Sequence, residues 1–437
     1  MTGFRGSDVV NRRAAAPVPG AARYRGLAPV RLSGGSARRG GYAPGPAPGR
    51  SPLDRLMRLL GRIFGPRSPL RHLDWILLCA VLALLTVGTL LVWSATATSG
   101  MTTSDPYLVR QALNISIGLV LMATVSMLDY RQLRLYAPIV LVLSCLGLLA
   151  VLSPLGSVVN GAKSWITLPG GFQIEPSEYA KISAILVGAI ILGELAPGQT
   201  RPGPRKIALT LVLSMIPLIL VVAEPDLGVA ILLIALIAGM IALSGVRLRW
   251  LVLLGCGGAL GIYAVAKLHL LKAYQLNRLT SFLHQSQDPR GTGYSAYQSK
   301  IAIGSGGLHG QGLFHGQLVA GGFVPEQHTD FIFAVAGEEI GFIGEMVIIA
   351  LLALLLFRAL RIAAKADDQF GMLVASGIAI WFGVQSFINI GMTIGITPVT
   401  GLPLPFVSYG GSALFADMIA IGALQAVHRH RSLFTQN

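Results

Sequence analysis

Apolar runs of about 20 residues recur from residue 75 to residue 427 of this 437-residue chain. A helix of that length crosses the roughly 30 Å hydrocarbon core of a bilayer and satisfies its own backbone hydrogen bonds there. Charged residues make up only 12% of the chain, about half the fraction in an average soluble protein. The sequence therefore predicts an all-α polytopic membrane protein. We predict ten spans, at 75–95, 111–128, 137–153, 178–195, 206–222, 227–245, 250–270, 332–356, 370–394 and 412–427.

The distribution of lysine and arginine predicts the orientation of the bundle. If the N-terminus lies in the cytoplasm, every cluster of basic residues between spans falls on the cytoplasmic side. The short external loops then hold only Arg110 and Lys163. Because positive charge marks cytoplasmic loops, we predict a protein of the cytoplasmic membrane with both termini inside. On this topology the long segment 271–331, between the seventh and eighth spans, is extracytoplasmic.

Most of the net charge of +15 precedes the first span. Residues 1–73 hold 14 Arg against two Asp, a net charge of +12. Residues 1–50 are rich in Gly, Ala, Pro and Arg, which predicts a disordered basic cytoplasmic tail. Residues 51–72 place apolar side chains at helical spacing opposite arginines, which predicts an amphipathic helix on the inner leaflet or one docked on the protein. Few aromatic residues interleave the arginines, so we expect a lipid surface and no nucleic-acid partner.

The stretch FVPEQHTDFIFA, residues 323–334, places three chemically active side chains just before an apolar helix: Glu326, His328 and Asp330. On the predicted topology Asp330 lies at the outer membrane–water boundary. Partial desolvation there raises the pKa of a carboxyl group and suits it to act as a general base. The alternative is that Thr329 or Asp330 caps the N-terminus of the eighth span, a role that does not exclude catalysis.

A second polar cluster lies in the stretch FQIEPSEYAK. Pro176 suits the first position of a helix, and Glu178 and Lys181 are then three residues apart on one face. This spacing predicts an ion pair inside the bundle. Charges in a membrane segment are costly and favour a functional role, and a structural lock between helices is the alternative.

Two glycine- and proline-rich stretches also predict parts of a site. The stretch GYSAYQSKIAIGSGGLHGQG contains Lys300, and Arg278 lies earlier in the same external segment. Cations on an external loop suit an anionic lipid-linked ligand, and a solvated surface is the alternative. In ITPVTGLPLPFVSYGGS, three prolines forbid a regular helix, and such backbone at membrane depth lines a cavity or is buried in protein. We expect it to form a cavity wall with the hydroxyl groups of Ser408 and Tyr409.

The chain has no Walker motif, Rossmann fingerprint, zinc site or serine-hydrolase elbow, so we expect no nucleotide cofactor. Five phrases then carry a family resemblance, in order across residues 75–428. They are FQIEPSEYAK, EPDLGVAILL, QSKIAIGSGGLHGQG, PEQHTDFIFAVAGEEIGFIGE and PVTGLPLPFVSYGGS. Together they resemble the SEDS family (shape, elongation, division and sporulation), and its RodA branch more than its FtsW branch.

The resemblance implies a peptidoglycan glycosyltransferase that polymerises lipid II outside the cytoplasmic membrane, for cell-wall elongation and rod shape. Residues 73–430 would be the transmembrane domain of the family. By resemblance Asp330 is the catalytic base of an inverting displacement, and Glu178 and Lys181 are the family's buried functional pair. The candidates for substrate binding are Lys300, Arg278, Glu326, His328, Ser299, Lys163, Ser408 and Tyr409.

Many family members carry Arg-Trp where this chain has Ser164-Trp165, so Lys163 is the candidate for the positive charge of that loop. The resemblance also makes Mg²⁺ or Mn²⁺ an expected cofactor, although the sequence reveals no metal ligands. It implies a class B penicillin-binding protein, a transpeptidase, as a partner within the complex for cell elongation.

Three other functions compete with an elongation polymerase. A lipid II flippase would use the buried ion pair, but it needs polar residues throughout the bundle, whereas the cytoplasmic half looks almost wholly apolar. A scaffold that recruits a transpeptidase would not need a desolvated acid beside cationic loops. A division polymerase of the FtsW type would share the same chemistry.

Overall fold

The structure, a computed structural model, describes residues 72–97, 106–159, 162–167, 173–195, 198–199, 201–267 and 293–434. Over these residues the chain forms twelve α-helices, one 3₁₀ turn at Tyr130–Gln132 and three short strands. The first part contains α1 (Trp75–Thr96), α2 (Pro106–Met127), α3 (Leu133–Leu152), β1 (Ser157–Val159), β2 (Ala162–Thr167), β3 (Gln173–Ile174), α4 (Pro176–Gly193), α5 (Pro204–Ala223) and α6 (Leu227–Leu243). The second part contains α7 (Leu248–Lys267), α8 (Tyr294–Gly306), α9 (Gln317–Ala320), α10 (Ile332–Ala364), α11 (Gln369–Ile394) and α12 (Gly411–Phe434).

The prediction of a helical, multi-pass membrane protein is confirmed. Within the described ranges, eight helices are long and apolar enough to cross a bilayer, namely α1 to α5 and α10 to α12. The helix α6 and the apolar part of α7, Leu248–Gly261, are shorter and complete the ten predicted positions. The basic tail at 1–50, nearly all of the amphipathic segment 51–72, and residues 268–292 of the long segment lie outside the described residues.

Three helices form the centre of the bundle. The most apolar windows of α4, α11 and α12 are 72%, 72% and 78% buried, against 22% for α2 and α3, whose large apolar side chains face outwards. Lipid tails are as apolar as leucine, so close packing and small residues hold such a bundle together rather than hydrophobic burial. In α11, a Cβ on Gly377 would stand 3.1 Å from the side chain of Ile185 in α4, so glycine permits this close approach.

The helix α10 is longer than predicted and is broken at Gly341, which adopts φ 68° and ψ −173°. The two N–H groups after the break donate to carbonyls in the segment 307–312, at 2.9 and 3.2 Å. Two N–H groups of that segment donate in turn to the carbonyls just before the break, at 2.8 and 2.9 Å. The segment 307–312 therefore satisfies the backbone of both halves, and the half that follows Asp330 is a separate short helix.

The opposite end of the bundle holds a buried ion pair. The guanidinium of Arg358 contacts the carboxylate of Asp74, which is only 3% exposed. The side-chain amide of Gln425 bonds to the backbone N–H and carbonyl of Asp74, at 2.8 and 3.0 Å. Twenty residues further along α1, about 30 Å away, Ser94 contacts Glu339 near the break. The expectation that this predicted cytoplasmic half is almost wholly apolar is therefore wrong.

A small antiparallel sheet, in the order β1–β2–β3, lies between α3 and α4. The predicted spans leave residues 154–177 as a loop, because strands of two to six residues carry too little periodicity to be predicted from a sequence. The sheet brings Lys163 back to the end of α3, where its ammonium group donates to the carbonyls of Ser153 at 2.7 Å and Leu152 at 3.3 Å.

Candidate active site

Asp330 lies in a tight turn, residues 325–331, immediately before α10. The backbone carbonyl of Glu326 accepts from the N–H groups of Thr329, Asp330 and Phe331, at 3.1 to 3.2 Å. Glu326 itself has φ +50°, a conformation that non-glycine residues adopt rarely and often at functional sites. The turn thus fixes the position of Asp330 at some conformational cost.

The helix-capping alternative is wrong for this turn. The N-cap position of α10 is occupied by Phe331, so neither Thr329 nor Asp330 fills it. The hydroxyl group of Thr329 bonds instead to the Glu326 carboxylate and carbonyl, both at 3.2 Å. The exposed carboxylate of Glu326 therefore braces the turn from its outer side.

The backbone of Asp330 is held from inside the bundle by α11. The side-chain amide of Asn389 donates to the carbonyl of Asp330 at 2.9 Å and to that of Leu402 at 2.7 Å. The carboxylate of Asp330 faces the irregular loop 395–410, because its Oδ2 lies 3.5 Å from where a Cβ on Gly401 would stand. Asp330 is half-buried, so one of its sides remains accessible. We call the end of the bundle that carries this turn and this loop the site end.

The predicted ion pair is confirmed as a contact. Lys181 Nζ lies 2.5 Å from Glu178 Oε2, and the two side chains are 0% and 1% exposed. Lys181 also donates to Gln385 Oε1 at 3.0 Å and lies 4.6 Å from the centre of the Trp381 ring. A buried charge needs such compensation from a carboxylate, an amide and an aromatic face. The functional role of this pair stays a prediction.

Three aromatic rings meet beside the turn. Tyr107 on α2 lies 5.2 Å from His328 and 5.4 Å from Tyr409, measured between ring centres. The backbone N–H of Tyr409 donates to the carbonyl of His328 at 2.9 Å, which ties the loop to the turn. Burial lowers the pKa of His328 and outweighs the opposing effect of Glu326, so a neutral imidazole is favoured near pH 7. Burial also raises the pKa of Tyr409, against the effect of the nearby Arg110 guanidinium.

Two of the predicted hydroxyl groups are engaged by backbone. Ser299 on α8 is fully buried and donates to the carbonyl of Thr393 at 2.9 Å, which docks α8 on α11. Ser408 Oγ accepts from the N–H of Leu404 at 2.8 Å and closes a turn of the loop 395–410. Both contacts explain these serines structurally, and substrate binding by either stays a prediction.

The three predicted cations have different surroundings. Lys163 donates to carbonyls at the end of α3, so its ammonium group is committed to capping that helix. Lys300 lies on the exposed face of α8, one residue after the buried Ser299. Arg278 lies outside the described residues. Substrate binding by Lys163, Lys300 or Arg278 stays a prediction.

Two buried glutamates near the break in α10 were not predicted as site residues. The stretch AGEEIG does indicate them, because carboxylates inside an apolar helix are costly and favour a specific role. Glu338 is fully buried, and its carboxylate accepts from the N–H groups of Leu318 and Val319 at 2.7 and 3.0 Å, which caps α9. Glu339 accepts from the hydroxyl group of Ser94 at 2.5 Å. Glu338 thus holds the outer segment on the helix that follows Asp330, and Glu339 joins that helix to α1.

The residue types needed for a metal site do not converge in the described part of the chain. No group of three or more His, Cys, Asp or Glu side chains there could hold a metal ion. A divalent cation at this site therefore stays a prediction from the family resemblance.

The region that matches known proteins is the region that forms the helical bundle. The family model FTSW_RODA_SPOVE, described as "Cell cycle protein", matches residues 74–433. The chain belongs to this family. The peptidoglycan glycosyltransferase MrdB of Escherichia coli K12 is 39% identical over 369 residues, which is 84% of this chain and 96% of MrdB. The stage V sporulation protein E of Bacillus subtilis is 38% identical over 363 residues, 82% of this chain and 97% of that protein.

Solved structures of family members share the fold. One, from "Structural coordination of polymerization and crosslinking by a peptidoglycan synthase complex", has a TM-score of 0.68 at 30% identity and covers 82% of this chain and 98% of that chain. The rod shape determining protein RodA of Thermus thermophilus has a TM-score of 0.59 at 29% identity and covers 82% and 97%. The FtsW/RodA/SpoVE fold thus accounts for the whole helical bundle.

Proposed function

We propose that the chain is a peptidoglycan glycosyltransferase that polymerises lipid II into glycan strands, with Asp330 as the catalytic base. The names of its relatives support the activity, since MrdB and FtsW proteins are named peptidoglycan glycosyltransferases. The assignment of Asp330 rests on its structural environment. It lies half-buried in a strained turn at one end of a membrane bundle, outside the N-cap position and held through its backbone by a buried amide.

The reaction needs one base. A sugar hydroxyl of the acceptor attacks the anomeric carbon of the donor, the new C–O bond forms, and the bond from that carbon to the lipid pyrophosphate breaks. Asp330 accepts the hydroxyl proton, and the lipid pyrophosphate departs with the bonding electron pair on its phosphate oxygen. A single displacement inverts the anomeric carbon and requires no covalent enzyme intermediate.

The surroundings of Asp330 suit a lipid-linked sugar. A prenyl chain stays in the bilayer while the disaccharide reaches water, so the reaction belongs at a membrane boundary. The neutral ring of His328 and the exposed carboxylate of Glu326 offer hydrogen bonds to sugar hydroxyls, and Tyr409 adds a ring beside them. Lys300, and Arg278 by resemblance, would stabilise the negative charge that develops on the departing pyrophosphate.

The orientation and the partner belong to the same proposal. The distribution of basic residues supports cytoplasmic termini and an extracytoplasmic site end. A structural relative comes from a peptidoglycan synthase complex described as coordinating polymerisation with crosslinking. We therefore propose a class B penicillin-binding protein as the partner of this chain, and a role in cell-wall elongation.

A lipid II flippase is the second candidate, and one observation favours it. Buried ion pairs lie both at the site end, Glu178–Lys181, and at the opposite end, Asp74–Arg358. A transport path needs polar groups through the bundle. The opposite pair, however, is closed by the amide of Gln425, which suits a structural lock better than a path.

An Asp330→Asn variant tests the proposal. The purified protein is reconstituted with lipid II, and glycan strands are resolved by gel electrophoresis. Loss of a general base lowers the rate about 100-fold to 10,000-fold. The matched control is Asp367→Asn, which makes the same change at an exposed position between α10 and α11, at the opposite end. We expect it to keep wild-type activity.

A fluorescent lipid-translocation assay on the same vesicles separates the two candidates. A polymerase loses strand formation in Asp330→Asn and shows no translocation that depends on Asp330. Strand formation by Asp330→Asn at nearly the wild-type rate would refute the assignment of Asp330 as the base. Translocation without strand formation by the wild-type protein would favour the flippase.

A further inference from the structure

One face of α11 carries two buried amides that connect the ion pair to the turn of Asp330. Gln385 and Asn389 are four residues apart, so they stack on the same side of the helix, and both side chains are fully buried. The sequence analysis did not identify either residue. An amide in an apolar helix indicates a buried hydrogen bond, but the sequence does not show which residue is its partner. Both amides point toward the loop 395–410.

The hydrogen bonds of Gln385 reach in two directions. Its Oε1 accepts from Lys181 at 3.0 Å and from the indole N–H of Trp381 at 2.7 Å. Its Nε2 donates to the carbonyl of Pro403 at 2.8 Å. Every hydrogen-bonding role is fixed, because an ammonium group and an indole N–H can only donate. The amide of Gln385 therefore links the position of the Lys181 ammonium group to the position of the loop 395–410.

Asn389, one helical turn after Gln385, extends the connection from the loop to Asp330. Its Nδ2 donates to the carbonyl of Leu402, which is adjacent to Pro403, and also to the carbonyl of Asp330. The path from the Glu178–Lys181 pair to the backbone of Asp330 thus consists of two side-chain amides and a two-residue stretch of loop. Buried hydrogen bonds of this kind are costly to leave unmade, so the path resists rearrangement.

We propose that Gln385 and Asn389 are positioning residues, which together with the loop carbonyls of Leu402 and Pro403 transmit the geometry of the Glu178–Lys181 pair to Asp330. The proposal rests on the proposed function of Asp330. On this reading the buried pair takes no proton from substrate. It sets the register of α4 against α11 and, through the amides, the placement of the base relative to the acceptor hydroxyl.

The path has a measurable consequence, because a base displaced by about 1 Å loses up to about 100-fold in rate while substrate binding is unchanged. In Asn389→Ala we expect kcat to fall about 10-fold to 100-fold, with the KM for lipid II within about twofold of wild type. A purely structural role would instead lower the melting temperature and the amount of folded protein without this split between kcat and KM.

The matched control is Thr393→Val, one turn further along the same face. Thr393 is also fully buried, and among the described residues its hydroxyl group bonds to the carbonyl of Ile390 in its own helix and to no other partner. We expect this variant to keep wild-type kcat. If Asn389→Ala does not fold, Asn389→Leu keeps the branched shape at Cγ and removes both hydrogen bonds, and the same kcat loss is expected.

Coupling to the ion pair is tested with Glu178→Gln/Lys181→Met, which removes both charges together and leaves neither one buried alone. If the amides transmit the geometry of the pair, adding Asn389→Ala to this variant lowers kcat little further. Fully multiplicative losses would overturn the coupling, and wild-type kcat in the two Asn389 variants would overturn the positioning role. If Asp330→Asn is inactive in those cases, the proposed function stands; if Asp330→Asn is active, it is the proposed function that fails.

Discussion

Replacing Gly341 by alanine tests whether the break in α10 holds the site end together. The backbone of Gly341 has φ 68° and ψ −173°, a region that only glycine adopts without strain, and the strain for another residue is about 1–3 kcal/mol. An added Cβ would also stand 2.3 Å from the backbone nitrogen of Gly310 and 2.7 Å from the carbonyl carbon of His309. Overpacking against rigid backbone costs about 1–3 kcal/mol more. The variant is therefore destabilised by about 2–6 kcal/mol.

Gly304→Ala provides the matched control. Gly304 lies on the exposed face of α8, where an added Cβ meets no atom of the described residues within 4 Å, so alanine stabilises the helix by about 0.5–1 kcal/mol. The assay is thermal unfolding in detergent, followed by strand formation from lipid II. We expect Gly341→Ala to melt several degrees lower and to lose activity, because the segment 307–312 can no longer satisfy both halves of α10. Equal melting temperatures and activities for the two variants would refute the reasoning.

Two further predictions concern charged groups. Arg358→Met leaves the carboxylate of Asp74 buried without its cation, so we expect a loss of about 3–5 kcal/mol in thermal unfolding; Asp74→Leu/Arg358→Met should recover most of it, and a wild-type melting temperature for Arg358→Met would contradict this. Because the pKa of His328 in the folded protein is below its ordinary value of 6.5, its neutral form stabilises the fold above about pH 6.5, and this contribution is lost as the pH falls through the lowered pKa. Between pH 7 and pH 5 the melting temperature of wild type should fall more steeply than that of His328→Phe. Parallel plots of melting temperature against pH would disprove the pH-dependent contribution of His328 to stability.

The sequence predicted the helices well, because length and hydropathy decide what can cross a bilayer. The pairing of Glu178 with Lys181 was also predictable, since three residues of helix place two side chains on one face whatever the rest of the fold does. The turn at Asp330 was recognised by its residue types, but its geometry was not. The positive φ of Glu326 is a conformation that its residue type rarely adopts, and the hydrogen bond to Asp330 comes from Asn389, which is distant in sequence.

The features that the sequence could not predict share this dependence on distant partners. Asp74 lies 284 residues from Arg358, and neither side chain identifies the other. Gly341 resembles any helical glycine until the segment 307–312 is packed against it. The backbone carbonyls to which Ser299 and Lys163 donate are likewise brought within reach only in the folded chain, and substrate binding by these residues stays a prediction.

The contacts of Asp74 have a consequence for how the molecule is made. A membrane protein is inserted from its N-terminus, so α1 enters the bilayer while Arg358 and Gln425 are still untranslated. The partners of Asp74 arrive with α10 and α12, and the amide of Gln425 is separated from it by 351 residues. The helix α1 therefore acquires its final contacts only when α12 is in place, and a chain truncated before α10 would retain a carboxylate that lacks both of these partners.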